Sequence, residues 1–434
     1  MGLFDKIQKY GFVGSLRRAP RSLMYRADAA LYRRAYERYQ KEPVDERLIV
    51  LESEGDLSDN AYALYDYMRE AGYLERYRVV WAVDDLEAAW RLKEAEPERW
   101  PNTEFVRKYP SGLPHGGVNY ACARALATCR WFVYDHNNLM AQFNKREGQT
   151  VAYLSHGCGY KAPKGSNLAE GYSNTDLFTS TGELGSQYLA NFTGLPSRNA
   201  KVTGYPRNDY LLADNALWAM EADKAFRLSD YDHVILWMPT FRQSIESSLS
   251  ENYMQSATGL PIVGTVENLQ RLSVFLRNSN ALLILKLHHL QAENPVFKEN
   301  FDNIIIMKDK DLADAGLQLY QFIGLSDLLI TDYSSVAVDY LLLDRPIIYT
   351  LDDYEQYAHS RGFFPENALE HMPGSHVTDL DGLLQALTEI ASGIDRYKTR
   401  RSQIVGRYHT YRDANSAERV LAALGIHTDT EEMS

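Results

Sequence analysis

The chain has 434 residues, of which 45% are hydrophobic and 24% charged. That usage excludes a disordered chain and a small disulfide scaffold, and it supplies enough material for two separately cored domains. The net charge of −12 is uneven: residues 1–41 hold ten Lys/Arg and three acids, a local balance of +7, and the rest of the chain stands at −19.

Only three cysteines occur, Cys122, Cys129 and Cys158, and none are paired as CxxC. That count argues against a disulfide framework or a zinc ribbon and fits a reducing compartment. No apolar run reaches the ~18–20 residues needed to span a bilayer. The N-terminus lacks the apolar core of a signal peptide. The expected location is the cytoplasm.

The basic segment, residues 1–44, reads as two helices broken near Pro20. Leu3, Phe4 and Ile7 make a small apolar face in the first. Leu23, Ala27, Ala30, Leu31 and Ala35 share a face in the second, with Tyr25, Tyr32, Tyr36 and Tyr39 beside them. A basic amphipathic helix with interfacial rings suits an anionic membrane surface. The alternative is a charged helix packed on its own domain by the apolar stripe. No nucleic-acid-binding motif follows, so no nucleic acid is expected as a partner.

From Arg47 a strand–helix alternation begins. RLIVLESEG reads as a strand and loop, and the helix after it starts at Ser58 or Asp59. RYRVVWAV, TEFVRK, CRWFVYD, TVAYLSHG and DLFTSTG are the next strands, with helical stretches between several of them. A second series follows a connector over 206–232: HVILWMP, ALLILKLHH, NIIIM, SDLLITDYSS and RPIIYTL as strands. Helices are expected over 265–279, over VAVDYLLLD, over 379–393 and in the tail. Such alternation predicts doubly wound parallel sheets. The expected organisation is an N-terminal domain at 45–210, a second at 211–410 and a C-terminal helix and tail at 411–434. Ligands of such sheets sit beyond the carboxyl ends of the strands, here in a cleft between the domains.

Four strand ends carry residues with chemistry. His156 follows VAYLS and precedes Gly157 and Gly159, with Lys161 close by. Histidine titrates near neutral pH and can take a proton from a hydroxyl, although a lone strand-end histidine more often bonds a backbone carbonyl. His288 and His289 end ALLILKL; adjacent residues point to opposite faces, so one of them faces the ligand, and two histidines make a poor metal site. Thr331, Asp332, Ser334 and Ser335 close a strand at the start of a helix, where backbone N–H groups favour a phosphate; plain helix capping is the common alternative. Thr240 and Arg242 follow HVILWMP, and Arg242 could fork onto a phosphate. Together the four ends suit a diphosphate donor and a hydroxyl acceptor, with side-chain cations in the role a metal could otherwise take.

In these stretches the chain resembles the CDP-glycerol glycerophosphotransferase family of teichoic-acid and capsule synthesis. The resemblance runs over roughly residues 45–370. It is carried by Glu52-Ser53 with Ser58-Asp59-Asn60, by His156-Gly157 with Lys161, and by the whole of Gly204 to Asp209. It continues in Pro239, Thr240 and Arg242, in Leu287-His288, in Thr331 to Ser335, in Asp339-Tyr340, in Asp344-Arg345-Pro346, and in Arg361-Gly362-Phe363. Phe241 stands for the family's Trp, Cys158-Gly159-Tyr160 for Thr-Pro-Leu, and His289 for Pro.

The resemblance implies a GT-B-like fold and transfer of glycerol phosphate from CDP-glycerol to an acceptor hydroxyl, with CMP released. It implies His156 as general base. It implies His288, Arg242 and the Thr331–Ser335 turn on the donor diphosphate, with Lys161, Thr240 and Arg361 in the same donor site. It implies a lipid-linked or capsular polymer acceptor, no tightly bound cofactor, and attachment to the inner face of the membrane. The departures beside His156 and His288 keep CDP-ribitol open as donor. Also open are a GT-B glycosyltransferase or sugar-nucleotide epimerase, a silent membrane scaffold, a divalent-metal requirement and a homo-oligomer.

Overall fold

The computed structural model describes residues 29–108, 119–163, 169–240, 256–287, 294–298 and 301–428. The chain divides into two compact units. One comprises Met1–Ser155, Asn167–Phe178 and Leu421–Ser434; the other comprises His156–Ser166 and Thr179–Val420. The histidine loop that starts at His156 thus belongs to the second unit.

The first sheet is built from β1 (Asp45–Glu52), β2 (Arg78–Val83), β3 (Thr103–Arg107), β4 (Cys129–Tyr134), β5 (Thr150–Tyr153), β6 (Leu177–Ser180) and β7 (Ala200–Val202). Its order is β3-β2-β1-β4-β5-β6-β7. Runs such as Val79 to Val83 and Trp131 to Tyr134 are buried along their whole length. Strands covered on both faces need no polar alternation, and β1, β2, β3, β4 and β5 pair in parallel as that pattern requires.

The helix over 29–39 packs on this first unit. Tyr32 and Tyr36 are buried. The Tyr36 ring stacks on Phe143 at 4.2 Å between centroids, and its hydroxyl donates to Gln149 Oε1 at 3.2 Å. Arg33, Arg34, Glu37 and Arg38 face outward. Two of the four tyrosines expected to lie at a membrane interface are therefore core residues of the domain. Residues 1–28, with Tyr25 and most of the basic charge, lie outside the described residues.

The second sheet comprises β8 (His233–Met238), β9 (Ala281–Lys286), β10 (Ile304–Met307), β11 (Leu328–Thr331), β12 (Ile347–Thr350) and β13 (Ser375–Val377), in the order β10-β9-β8-β11-β12-β13. All its pairings are parallel, and Thr331 lies level with Met238 on one side and Tyr349 on the other. Trp237, Leu283, Leu285, Ile330 and Ile348 form its core with Leu272 and Leu276 of the helix Val266–Asn278 and Leu383 of the helix Leu380–Ala391. Removing one such side chain costs about 2–5 kcal/mol. Among the described residues, no helix is long and apolar enough to cross a membrane.

Strand order reverses between β1 and β4 in the first sheet and between β8 and β11 in the second. A doubly wound sheet opens a crevice at the carboxyl ends of strands at such a switch point. In the second unit that point is flanked by Met238-Pro239-Thr240 and by Thr331 to Ser335.

Candidate functional site

The switch point of the second sheet is closed by a carboxylate. Asp332 is fully buried. It accepts the Thr240 backbone N–H at 2.9 and 3.1 Å and the Thr240 hydroxyl. Thr331, also fully buried, donates to the Met238 carbonyl at 2.7 Å. Thr331, Asp332 and Thr240 were expected to hold the donor phosphates directly. Their polar atoms tie the end of β8 to the end of β11. Burial, which the sequence does not display, makes the difference: a strand-end hydroxyl reads the same whether it faces ligand or neighbouring strand. Ser334 and Ser335 remain half-exposed, and Ser335 starts the helix Val336–Tyr340 without a side-chain cap of its own.

The histidine loop lies against this turn. The His156 carbonyl accepts from Arg207 Nη2 at 2.8 Å and from Ser335 Oγ at 3.5 Å. Its neighbours explain the two glycines. Gly157 has φ +100°, and a Cβ there would lie 2.9 Å from Arg207 Nη2 and 3.3 Å from Ser335 Cβ. A Cβ at Gly159 would lie 2.9 Å from the Ser335 nitrogen and 3.2 Å from the Tyr333 carbonyl. The loop can approach the turn this closely because both positions lack a side chain. Ser155, just before His156, also has positive φ, +67°. His156 itself is half-buried.

The backbone at Lys161 runs beside the Arg361–Phe363 stretch. Lys161 pairs with Phe363 in an isolated antiparallel bridge; the Ala162 N–H donates to Gly362 O at 2.9 Å, and the Phe364 N–H to Tyr160 O at 2.9 Å. The Arg361-Gly362-Phe363 segment is thereby laid alongside the histidine loop. Phe363 also stacks on Tyr354, with 4.8 Å between centroids, and lies 5.1 Å from the Tyr333 ring. Tyr160 is buried, and its hydroxyl donates to His371 O at 3.0 Å. The expected site residues Arg242 and His288 lie outside the described residues.

Beside the turn, at the ends of β12 and β13, is a cavity of about 900 Å³. Its lining includes Asn268, Asp352, Asp353, Tyr354, His376 and Asp379. Tyr333 donates to Asp353 Oδ1 at 2.8 Å, so the turn and the cavity share a wall. No lysine or arginine is among its described lining residues. Burial pushes the His376 imidazole below its ordinary pKa. The carboxylates, amide and ring among its described lining residues can meet hydroxyls, an amino group and a flat base.

The first unit has its own polar constellation at its switch point. Lys108 is almost fully buried and lies 2.9 Å from Glu52, 3.2 Å from Asp56 and 3.6 Å from Asp84. Burial opposes the Lys108 charge, but Glu52, Asp56 and Asp84 outweigh it and raise its pKa. Burial raises the Glu52 pKa against the pull of Lys108. The Asp135 carboxylate accepts the N–H groups of Glu54 and Ala61, both at 2.9 Å, and burial raises its pKa well above the usual range. These bonds shape the Glu54–Asp59 loop, in which Asp56, Leu57 and Asp59 all have positive φ.

The family model described as CDP-Glycerol:Poly(glycerophosphate) glycerophosphotransferase matches residues 34–425. The chain belongs to that family. A teichoic acid poly(glycerol phosphate) polymerase of Staphylococcus epidermidis is 24% identical over 414 residues, 91% of this chain and 52% of that protein. The chain thus spans about half the length of that relative. A teichoic acid ribitol-phosphate primase of Bacillus spizizenii is 26% identical over 313 residues, 68% of this chain and 74% of that one. A solved structure of the wall teichoic acid polymerase TagF superposes with a TM-score of 0.71 at 21% identity, covering 96% of this chain and 98% of that one. The likeness shows the fold, α/β and GT-B-like, with parallel sheets as the strand–helix alternation predicts.

Two members of the second unit's site had no role assigned from the sequence. Arg207 and Asp339 form a buried ion pair, Nη2 to Oδ2 at 2.9 Å. Both belong to stretches that carry the family resemblance, and that was the available signal. Their meeting could not be read, because they lie in distant parts of the sequence.

Proposed function

We propose that the protein transfers glycerol phosphate from CDP-glycerol to a hydroxyl of a membrane-linked or oligosaccharide acceptor and releases CMP. The observation that carries this reading is the anchoring of the His156 carbonyl to Arg207 and Ser335, at the carboxyl end of β11. It sets an imidazole-bearing loop on a hydroxyl-bearing turn in a chain of this family.

In this reading the acceptor oxygen attacks the phosphorus that bears glycerol. The bond between that phosphorus and the bridging oxygen breaks, CMP leaves with the electron pair, and the acceptor proton passes to His156. Ser334, Ser335, Lys161 and Arg361 neutralise the diphosphate, with Arg242 and His288 joining them. Thr331, Asp332 and Thr240 act from behind by holding the two strand ends. The cavity beside Tyr354 takes the cytidine, with carboxylates for the ribose hydroxyls and the cytosine amino group. The donor side corresponds to the second unit, His156–Ser166 and Thr179–Val420, and the acceptor side to the first, so the boundary expected near 210 falls earlier in the chain. A divalent ion would add to the same charge stabilisation. The protein works at the inner face of the plasma membrane, held by its basic N-terminal segment.

The ribitol-phosphate primase among the relatives supports a second reading with CDP-ribitol as donor. A donor panel separates the two. CMP release from CDP-glycerol at least tenfold faster than from CDP-ribitol supports glycerol; the reverse ratio assigns ribitol.

A further inference from the structure

We infer that Arg207, held by Asp339, is a positioning residue that fixes the backbone from which the His156 imidazole projects. Arg207 lies in the first turn of the helix Pro206–Leu212 and is 5% exposed. One nitrogen, Nη2, donates both to Asp339 Oδ2 at 2.9 Å and to the His156 carbonyl at 2.8 Å. The guanidinium lies over the Tyr320 ring, 4.4 Å from its centroid.

Asp339, at 1% exposure, is held in turn. The Tyr320 hydroxyl donates to its Oδ2 at 2.6 Å and Asn208 Nδ2 to its Oδ1 at 3.2 Å. The guanidinium therefore has little freedom. A buried planar cation, ion-paired and laid over a ring, is a rigid template for a carbonyl.

The loop needs such a template. His156 sits between two residues of positive φ, Ser155 at +67° and Gly157 at +100°. Serine pays for that conformation, which persists only where its surroundings impose it. Ser335 supplies a longer bond to the same carbonyl, 3.5 Å, so of these two donors Arg207 is the stronger. Gly157 admits the guanidinium against the loop, since a Cβ there would come within 2.9 Å of Nη2. Arg207 thus acts through His156: it sets where the imidazole starts, and a displacement of about 1 Å in such a group can cost about 10²-fold in rate.

The inference rests on His156 being the base, and a double-mutant cycle separates the two ideas. Full-length wild type, Arg207→Lys, His156→Ala and the double variant are assayed for CMP release from CDP-glycerol with a lipid-linked glycerol-phosphate acceptor. Lysine keeps the charge but loses the planar group that lies over Tyr320. The expected result is a fall in kcat of about 30-fold or more for Arg207→Lys, a KM for CDP-glycerol within about 3-fold, and no further loss when Arg207→Lys is added to His156→Ala. Tyr320→Phe, which frees Asp339 from one bond and is gentler on folding, should lower kcat about 3–10-fold with the same non-additivity. An equal Arg207→Lys loss with and without His156, or a change confined to KM, overturns the positioning role while leaving the base assignment standing. Unchanged turnover in His156→Ala alone overturns the base assignment itself. If Arg207→Lys unfolds, shown by a melting transition below assay temperature, the Tyr320→Phe cycle decides by the same criterion.

Discussion

Asp332 accepts the backbone N–H of Thr240 through both carboxylate oxygens, at 2.9 and 3.1 Å, and so bolts the end of β8 to the end of β11 where the strand order reverses. Asp332→Asn replaces one acceptor oxygen with an amide that faces the same donors. Leaving a buried donor unmet costs about 1–3 kcal/mol. The variant should melt at a lower temperature, and its kcat/KM for the CDP-linked donor should fall about tenfold or more. Steady-state kinetics and a thermal melt check both. Wild-type values for the two would mean that the strand ends hold their places without this carboxylate.

Gly159 allows the histidine loop to touch the Tyr333–Ser335 turn. Gly159→Ala puts a methyl carbon 2.9 Å from the Ser335 nitrogen, so loop or turn must shift. Turnover should fall about 10²-fold. Gly171→Ala is the control, because a Cβ there meets nothing within 4 Å, and it should keep full activity.

Asp209 gives the stability a pH signature. Its carboxylate accepts the N–H groups of Ser416 and Ala417, both at 2.9 Å, at the start of the helix Ser416–Leu424. Burial nonetheless raises its pKa to about 6. The folded chain then holds this proton more tightly than the unfolded chain, whose aspartates titrate near ~3.9. The contribution to stability is complete below about pH 4 and is lost as pH rises to about 6. Asp209→Asn keeps a capping group without the charge. Its stability relative to wild type should rise between pH 4 and 6 by roughly 2 kcal/mol, read from denaturant melts at each pH. A constant difference across that range would remove Asp209 as the source.

The sequence made the strands legible wherever they were buried runs. Val79 to Val83, Val234 to Trp237 and Leu282 to Ile284 are apolar and fully enclosed, so composition alone marks them. The three-residue strands β7 (AKV) and β13 (SHV) carry no such run and were not expected. In the site, His156, Gly157, Gly159, Ser335, Lys161 and the Arg361–Phe363 stretch were legible as motifs, and the second unit brings them together. Which polar groups face inward was not legible. Thr331 and Asp332 are spent on neighbouring backbone, and Tyr32 and Tyr36 are spent on the first unit's core. Such assignments depend on what lies opposite in space, which Arg207 and Asp339 illustrate most plainly.

The N-terminal helix offers a separate test. Tyr36→Phe removes the hydroxyl bond to Gln149 but keeps the ring on Phe143, and should cost about 1 kcal/mol. Phe143→Ala removes the stacking partner and should cost about 3–5 kcal/mol. Deleting residues 1–28 leaves this packed helix in place and removes six of the ten Lys/Arg in residues 1–41. Cosedimentation with anionic vesicles should drop, and binding by the whole chain should weaken as salt rises. Unchanged, salt-insensitive binding would put the membrane contact elsewhere.

The most direct measurement is mass spectrometry of the products formed when the protein is given a lipid-linked acceptor and each of CDP-glycerol, CDP-ribitol, UDP-N-acetylglucosamine and a CMP-sugar. Glycerol-phosphate transfer gives CMP and an acceptor heavier by one or more glycerol-phosphate units with CDP-glycerol, and no product from the sugar nucleotides. Transfer of a sugar, with no turnover of either CDP-polyol, would contradict it.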